Sequence, residues 1–177
     1  ENNSMVIHLT LLPYLASSGE LKTKPSQHSV RSLMENGIMA DVLVCRTEHK
    51  IEKEIRAKLA QFCNVGMENV IECIDMDTIY EVPLYLQNQN FDDVVLKELG
   101  LQNDQEADLT EWNTFLTKYK NPKKSVEIAL VGKYVSLQDS YKSIAEAFIH
   151  AGAHLETEVK VKWVYSGDLT DANIAES

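Results

Sequence analysis

Long apolar runs are missing from this sequence of 177 residues. None exceeds a few residues, far short of the roughly 18–20 that carry a helix across a bilayer, so no membrane partner is expected. A surplus of positive charge is missing too: 17 basic residues face 27 acidic ones, a formal charge of −10. That balance argues against a nucleic-acid polymer, because the net field repels phosphate at long range. Cysteine is scarce. Cys45, Cys63 and Cys73 form no CxxC pair and no even set, which points to a reduced, cytoplasmic chain without a disulfide frame. None of the three stands in a G-x-C-x-G elbow, so they read as core residues and not as nucleophiles. No HExxH and no Cys/His cluster suggests a transition-metal centre, and no G-x-x-x-x-G-K-[ST] loop occurs. The start, Glu1-Asn2-Asn3-Ser4, lacks both an initiator methionine and the basic opening of a signal peptide. With an abrupt end at Ala175-Glu176-Ser177, the chain reads as a segment of something longer.

What is present is the composition of a folded domain, or parts of two: 44% apolar, 25% charged, four prolines and seven glycines. The charge is unevenly spread. Residues 59–117 hold one base and twelve acids, whereas residues 22–58 hold eight bases and five acids, net +3. Screening over about 8–10 Å lets such a basic stretch attract a small anion inside an acidic chain. A solvated mixed-charge surface has the same composition.

Strand and helix signals alternate. Met5–Leu12 reads as a buried strand, and residues 16–29 as a loop punctuated by Gly19 and Pro25. A helix is expected after Pro25 as far as Asn36, with Val30, Leu33 and Met34 inward and Gly37 at its C′ position. Ile38–Cys45 follows as a second strand. Glu48–Phe62 shows Ile51, Ile55, Leu59 and Phe62 at helical spacing, with Thr47 as a cap and Glu52–Arg56 and Glu54–Lys58 as i,i+4 pairs. Val70–Ile74 is a short strand, and short helices are expected at Pro83–Gln89 and Phe91–Leu99. Residues 101–110 read as a linker. A helix over Glu111–Tyr119, a strand over Val126–Val131, a helix from about Asp139 to Ala151 followed by Gly152, and a strand over Val159–Val164 complete the pattern. Strands alternating with helices predict a parallel-sheet α/β architecture, cut near residues 101–125 into pieces of two domains.

The sharpest chemical feature is Lys22-Thr23-Lys24-Pro25-Ser26-Gln27-His28. Two ammonium groups, two hydroxyls and an amide stand between a strand and a helix start, where first-turn amides lack intrahelical partners. The set suits a phosphate chain; it equally suits a solvated basic loop with an ordinary helix cap. Lys58 lies on a helix face offset from the apolar stripe, and a surface lysine paired with Glu54 would look the same. His28 reads as a cap or packing residue.

The run SGELKTKPSQHSVRSL, a strand ending VCRTE, then RAKLAQFCNV and DMDTIYEVP, resembles the CTP synthase family. The likeness continues through Trp112 and Asn121-Pro122 to IALVGKY and SYKSIAEAFIHAG, so it covers essentially the whole chain in unbroken order. It implies an ATP-dependent C–N ligase of pyrimidine biosynthesis that makes CTP from UTP with ammonia drawn from glutamine. It implies that residues 1–101 are the C-terminal part of a P-loop NTPase-like synthetase (amidoligase) domain. Residues 102–124 would be an interdomain linker with a helix. Residues 125–177 would be the start of a second α/β domain, a class I glutamine amidotransferase.

By the same likeness Lys22, Thr23, Lys24, Pro25, Ser26 and Gln27, with Lys58, belong to a UTP site that CTP shares as feedback inhibitor. Lys22 and Gln27 would reach the common triphosphate. Ile74, Asp75 and Met76 match the stretch that holds the adenine of ATP, with Arg46 beside it. Lys142 corresponds by position to communication with the GTP effector. The family is a homotetramer with UTP and CTP near subunit interfaces, and Mg2+ accompanies ATP on ligands outside this segment. Ser26 replaces the commoner Thr and keeps its hydroxyl. No catalytic residue of either half-reaction is expected in the segment, so alone it should be inactive. The alternative function is a nucleotide-sensing or assembly fragment without chemistry of its own.

Overall fold

Aliphatic runs and helical stripes do alternate in space as in sequence. In the computed structural model, which describes residues 3–101 and 105–170, they form two compact units, Glu1–Ala107 and Asp108–Ser177. Residues 102–104 of the expected linker and 171–177 of the expected amidotransferase portion lie outside the described residues.

The first unit runs β1 (Ile7–Leu11), a hairpin of β2 (Tyr14–Leu15) and β3 (Glu20–Leu21), α1 (Lys24–Glu35), β4 (Val42–Thr47), α2 (Lys53–Cys63), β5 (Val70–Ile74), a 3-10 turn (Ile79–Glu81), α3 (Val82–Gln87) and α4 (Phe91–Glu98). β1, β4 and β5 form a parallel sheet in the order β1-β4-β5, with Leu9 opposite Val44 and Val44 opposite Ile71. Helices cover both faces of its centre, which is why Val42-Leu43-Val44-Cys45 is an unbroken apolar run and not an alternating one. Leu43, Cys45 and Val70 pack with Val30 of α1 and Leu59 and Cys63 of α2. Val42, Val44 and Ile71 pack with Val94 of α4 on the other face. Each of these fully buried aliphatic side chains contributes about 1.5–3 kcal/mol.

Several expectations shift. The strand expected to be buried over Met5–Leu12 is an edge strand, and Ile7, Leu9 and Leu11 on one of its faces stay exposed. The second strand starts later, at Val42, leaving Ile38 and Met39 exposed, and runs on through Arg46 to Thr47. Thr47 therefore caps no helix; its hydroxyl donates to the His49 carbonyl. α2 begins only at Lys53, with Ile51 buried ahead of it. Cys63, not Phe62, turns inward at its end, and Phe62 is 59% exposed. α1 stops where Gly37, at φ 77°, takes the left-handed position that a side chain would strain.

The second unit holds α5 (Thr110–Lys120), β6 (Lys124–Gly132), a 3-10 turn (Gln138–Tyr141), α6 (Lys142–His154), β7 (Thr157–Tyr165) and a final 3-10 turn (Ser166–Asp168). β6 and β7 pair in parallel from Lys124–Thr157 to Gly132–Tyr165. Val159, Val161 and Trp163 turn inward while Lys160 and Lys162 face solvent. α6 packs on β7, and α5, the helix assigned above to the linker, packs on α6. Gly152 lies inside α6 and not beyond it. A Cβ there would stand 2.5 Å from the Thr157 carbonyl oxygen, so glycine is what lets helix and strand approach. No helix among the described residues is long and apolar enough to cross a membrane.

Candidate functional site

In a parallel sheet the connections that follow the strands gather at their carboxyl ends, which is where open α/β sheets place ligands. Both groups of candidate residues come to that edge. Ser26 is fully buried and its hydroxyl donates to the carbonyl of Leu11, the last residue of β1, at 3.0 Å. This bond pins the start of α1 over the end of β1. Lys22 follows the β2–β3 hairpin, its amide bonded to the Pro13 carbonyl. Thr23 is buried, and its hydroxyl accepts from the Gln27 side chain at 3.1 Å. Of the two hydroxyls expected to donate to phosphate, that of Ser26 is spent on Leu11, while that of Thr23 accepts from Gln27 and keeps its own proton. Ser26 and Thr23 shape the segment, while Lys24 and Pro25 are exposed on the first turn.

Lys22 is ion-paired with Glu20. That hydrogen bond first, and the Lys22 charge next, hold the Glu20 carboxyl below the usual carboxylate range; the charge of Lys58 acts in the same direction. Lys22 thus meets Glu20 in direct contact, whereas Lys58, remote in sequence, adds only a weak long-range charge there. Lys58 is exposed and makes no ion pair among the described residues, so the expected Glu54–Lys58 pair is not formed. Nor is Glu52–Arg56: the Arg56 guanidinium turns inward to the Val70 carbonyl.

The second group meets where β4 and β5 end. Arg46 and Asp75 are both exposed and ion-paired at 3.2 Å. The Asp75 amide donates to the Thr47 carbonyl at 3.0 Å, tying the turn after Ile74 to the end of β4. Met76 is half-buried just beyond. Sequence proximity grouped Ile74, Asp75 and Met76; the pairing of β4 with β5 is what adds Arg46.

Cys45 and Cys63 are buried in the core, and burial pushes the Cys45 thiol up to about 12. Burial likewise raises Cys63 and Cys73. In the second unit Lys142 opens α6, exposed, its pKa raised by the hydrogen bond and charge of Glu146 one turn on. His150 and His154 stand at H-x-x-x-H spacing on α6, contrary to the expectation that the chain holds no such spacing. No group of three or more His, Cys, Asp or Glu among the described residues is placed to hold a metal. A cavity of about 420 Å³ opens between α5, α6 and β7, lined mainly by Tyr119, Phe148, Ile149, Val159, Val161 and Trp163.

Comparison with known proteins shows what the chain is similar to. A family model for the CTP synthase N-terminus matches residues 1–101. The chain is 58% identical over 176 residues to a CTP synthase of Flavobacterium johnsoniae, covering 99% of this chain and 33% of that relative. It is 56% identical over 174 residues to one of Christiangramia forsetii, covering 98% and 32%, and 51% identical over 175 residues to one of Halalkalibacterium halodurans, covering 99% and 33%. The chain thus spans about a third of the length of these relatives. The matching model describes the family's N-terminus and ends at residue 101. It lends no support to the finer placement of residues 1–101 at the C-terminal end of a synthetase domain, nor to an amidotransferase start at residue 125.

Proposed function

The chain belongs to the CTP synthase family, and on that premise we propose that it supplies the nucleotide-binding edge of an enzyme converting UTP to CTP. The observation that carries this is the Lys22–Glu20 ion pair beside the start of α1, which Ser26 pins to the carboxyl end of β1. A carboxylate held by the Lys22 ammonium, with the Lys58 charge acting in the same direction, marks a place for anionic oxygens. The triphosphate shared by UTP and CTP would take it over, with Lys24 and Gln27 beside it. Sharing makes the product a competitor of the substrate. Arg46, Asp75, Met76 and the Ile74 backbone would flank the adenine of ATP one strand further along.

In this proposal residues 1–101 are the carboxyl-terminal portion of the synthetase domain, 102–124 the linker, and 125–177 the opening of a glutamine amidotransferase domain. Lys142 would stand on the path of a GTP effector, and the enzyme would be a cytoplasmic tetramer. The whole enzyme would phosphorylate the uracil 4-oxygen with ATP and then let ammonia from glutamine displace the phosphate. This chain's residues bind and neutralise the triphosphate; the reacting atoms lie elsewhere. The magnesium accompanying ATP finds no ligand cluster among the described residues, and none of these binding steps depends on one here.

Calorimetric titration of Lys22→Ala in the full-length enzyme tests the proposal. Loss of a charge-assisted contact costs about 1.5–3 kcal/mol, so UTP and CTP should weaken together by more than tenfold. Loss of one ligand alone would overturn the shared site.

A further inference from the structure

Glu72 is a charged residue in the middle of β5, yet it is only 4% exposed. It stands opposite Cys45 on the central strand. Its carboxylate accepts two hydrogen bonds from separate elements: the backbone amide of Ile51, ahead of α2, and the hydroxyl of Tyr85 on α3. Burial, and then Glu72 itself, raise the Tyr85 pKa, so the hydroxyl stays a donor at neutral pH. A buried carboxylate is costly unless its oxygens are satisfied, and here each oxygen has a donor.

The position of these bonds matters more than their number. β5 ends at Ile74 and leads through Asp75-Met76 into the 3-10 turn and α3, so residues 75–81 form a connection whose two stems are β5 and α3. The Tyr85–Glu72 bond joins those stems. At the same sheet edge Arg56 of α2 donates to the Val70 carbonyl and reaches the Gln89 side chain at 3.4 Å. The far side of the connection is held to β4 by Arg46–Asp75 and by the Asp75 amide. We propose that Glu72 is a positioning residue: with Tyr85 it closes the base of the 75–81 connection and sets the Ile74-Asp75-Met76 backbone for the adenine of ATP. This rests on the assignment of that stretch to ATP made above.

The full-length enzyme carrying this chain provides the test, with ATP and UTP as titrants and amide hydrogen exchange over residues 73–79 as a readout independent of ligand. Tyr85→Phe should speed exchange there and raise the ATP dissociation constant about three- to tenfold, the range of one net hydrogen bond. UTP affinity should change less than twofold. Glu72→Leu, which removes both acceptors, should do more; Glu72→Gln, which can still accept from Ile51 and pair with Tyr85, should recover most of the loss. Equal weakening of ATP and UTP, or a lower melting temperature with unchanged exchange and ATP affinity, would overturn the proposal. Faster exchange in a protein whose wild type binds no ATP would uphold the clamp and remove the ATP assignment instead.

Discussion

Replacing Glu20 by Gln should tighten UTP and CTP binding, although Glu20 lies inside the proposed site. Lys22 can reach a triphosphate only by leaving Glu20, and the carboxylate left behind would repel the incoming phosphates. The gain is bounded by the geometry. The Lys22 and Glu20 side chains are 39% and 56% exposed, and pairs so open to water shift an equilibrium by less than about fivefold. Relief of repulsion adds to this but is screened over roughly 8–10 Å. The dissociation constants for both nucleotides should therefore fall about two- to fivefold. Lys22 holds the Glu20 carboxyl below its usual range, so Glu20 is ionised throughout the neutral region. The gain should be flat from about pH 6 to 8 and shrink only as acid protonates Glu20 in the wild type. Titration calorimetry at low and raised ionic strength reads both effects. In a Lys22→Ala background the part of the gain that comes from releasing the pair should be lost, leaving only the screened relief of repulsion. Unchanged or weaker binding by Glu20→Gln would refute the idea that the carboxylate occupies the phosphate position.

Two further outcomes concern the framework. Gly152→Ala puts a methyl 2.5 Å from the backbone oxygen of Thr157; overpacking of this kind costs about 1–3 kcal/mol. The melting transition of the second unit should drop, and an unchanged transition would show that α6 and β7 are not held at that spacing. Cys45, its thiol pushed up to about 12 by burial, should resist iodoacetamide at pH 8 in the folded protein, as followed by mass spectrometry. Rapid alkylation there would mean that the core around β4 opens.

The elements that could be read from the sequence were those whose signals are local. Val70–Ile74 reads as a short strand, with Val70, Ile71 and Ile74 about Glu72 and Cys73, and β5 occupies it to the residue. Gly37 ends α1 because a left-handed residue is needed there. The Lys22–Gln27 motif was visible as a set of donors, but not which of them are spent. The Ser26 hydroxyl is spent on Leu11, fifteen residues earlier, and the Gln27 amide on Thr23; a side chain's partner across a fold leaves no periodic trace. The Glu20–Lys22 pair joins residues two apart in extended chain, where the i,i+4 rule for helices is silent. That rule instead suggested Glu52–Arg56 and Glu54–Lys58.

Arg56 shows why those helical pairs lost. β5 is an edge strand, so the Val70 carbonyl has no further strand to bond, and a buried orphan oxygen costs more than a solvated ion pair returns. The guanidinium goes to the oxygen, and Lys58, two residues on, is left without an ion pair among the described residues. The same edge recruits Glu72 and Tyr85. At β5, charge that composition assigns to the surface is thus drawn inward. Such an edge arises only once β4 and β5 have paired, so no window of sequence could show that Glu72 would be buried.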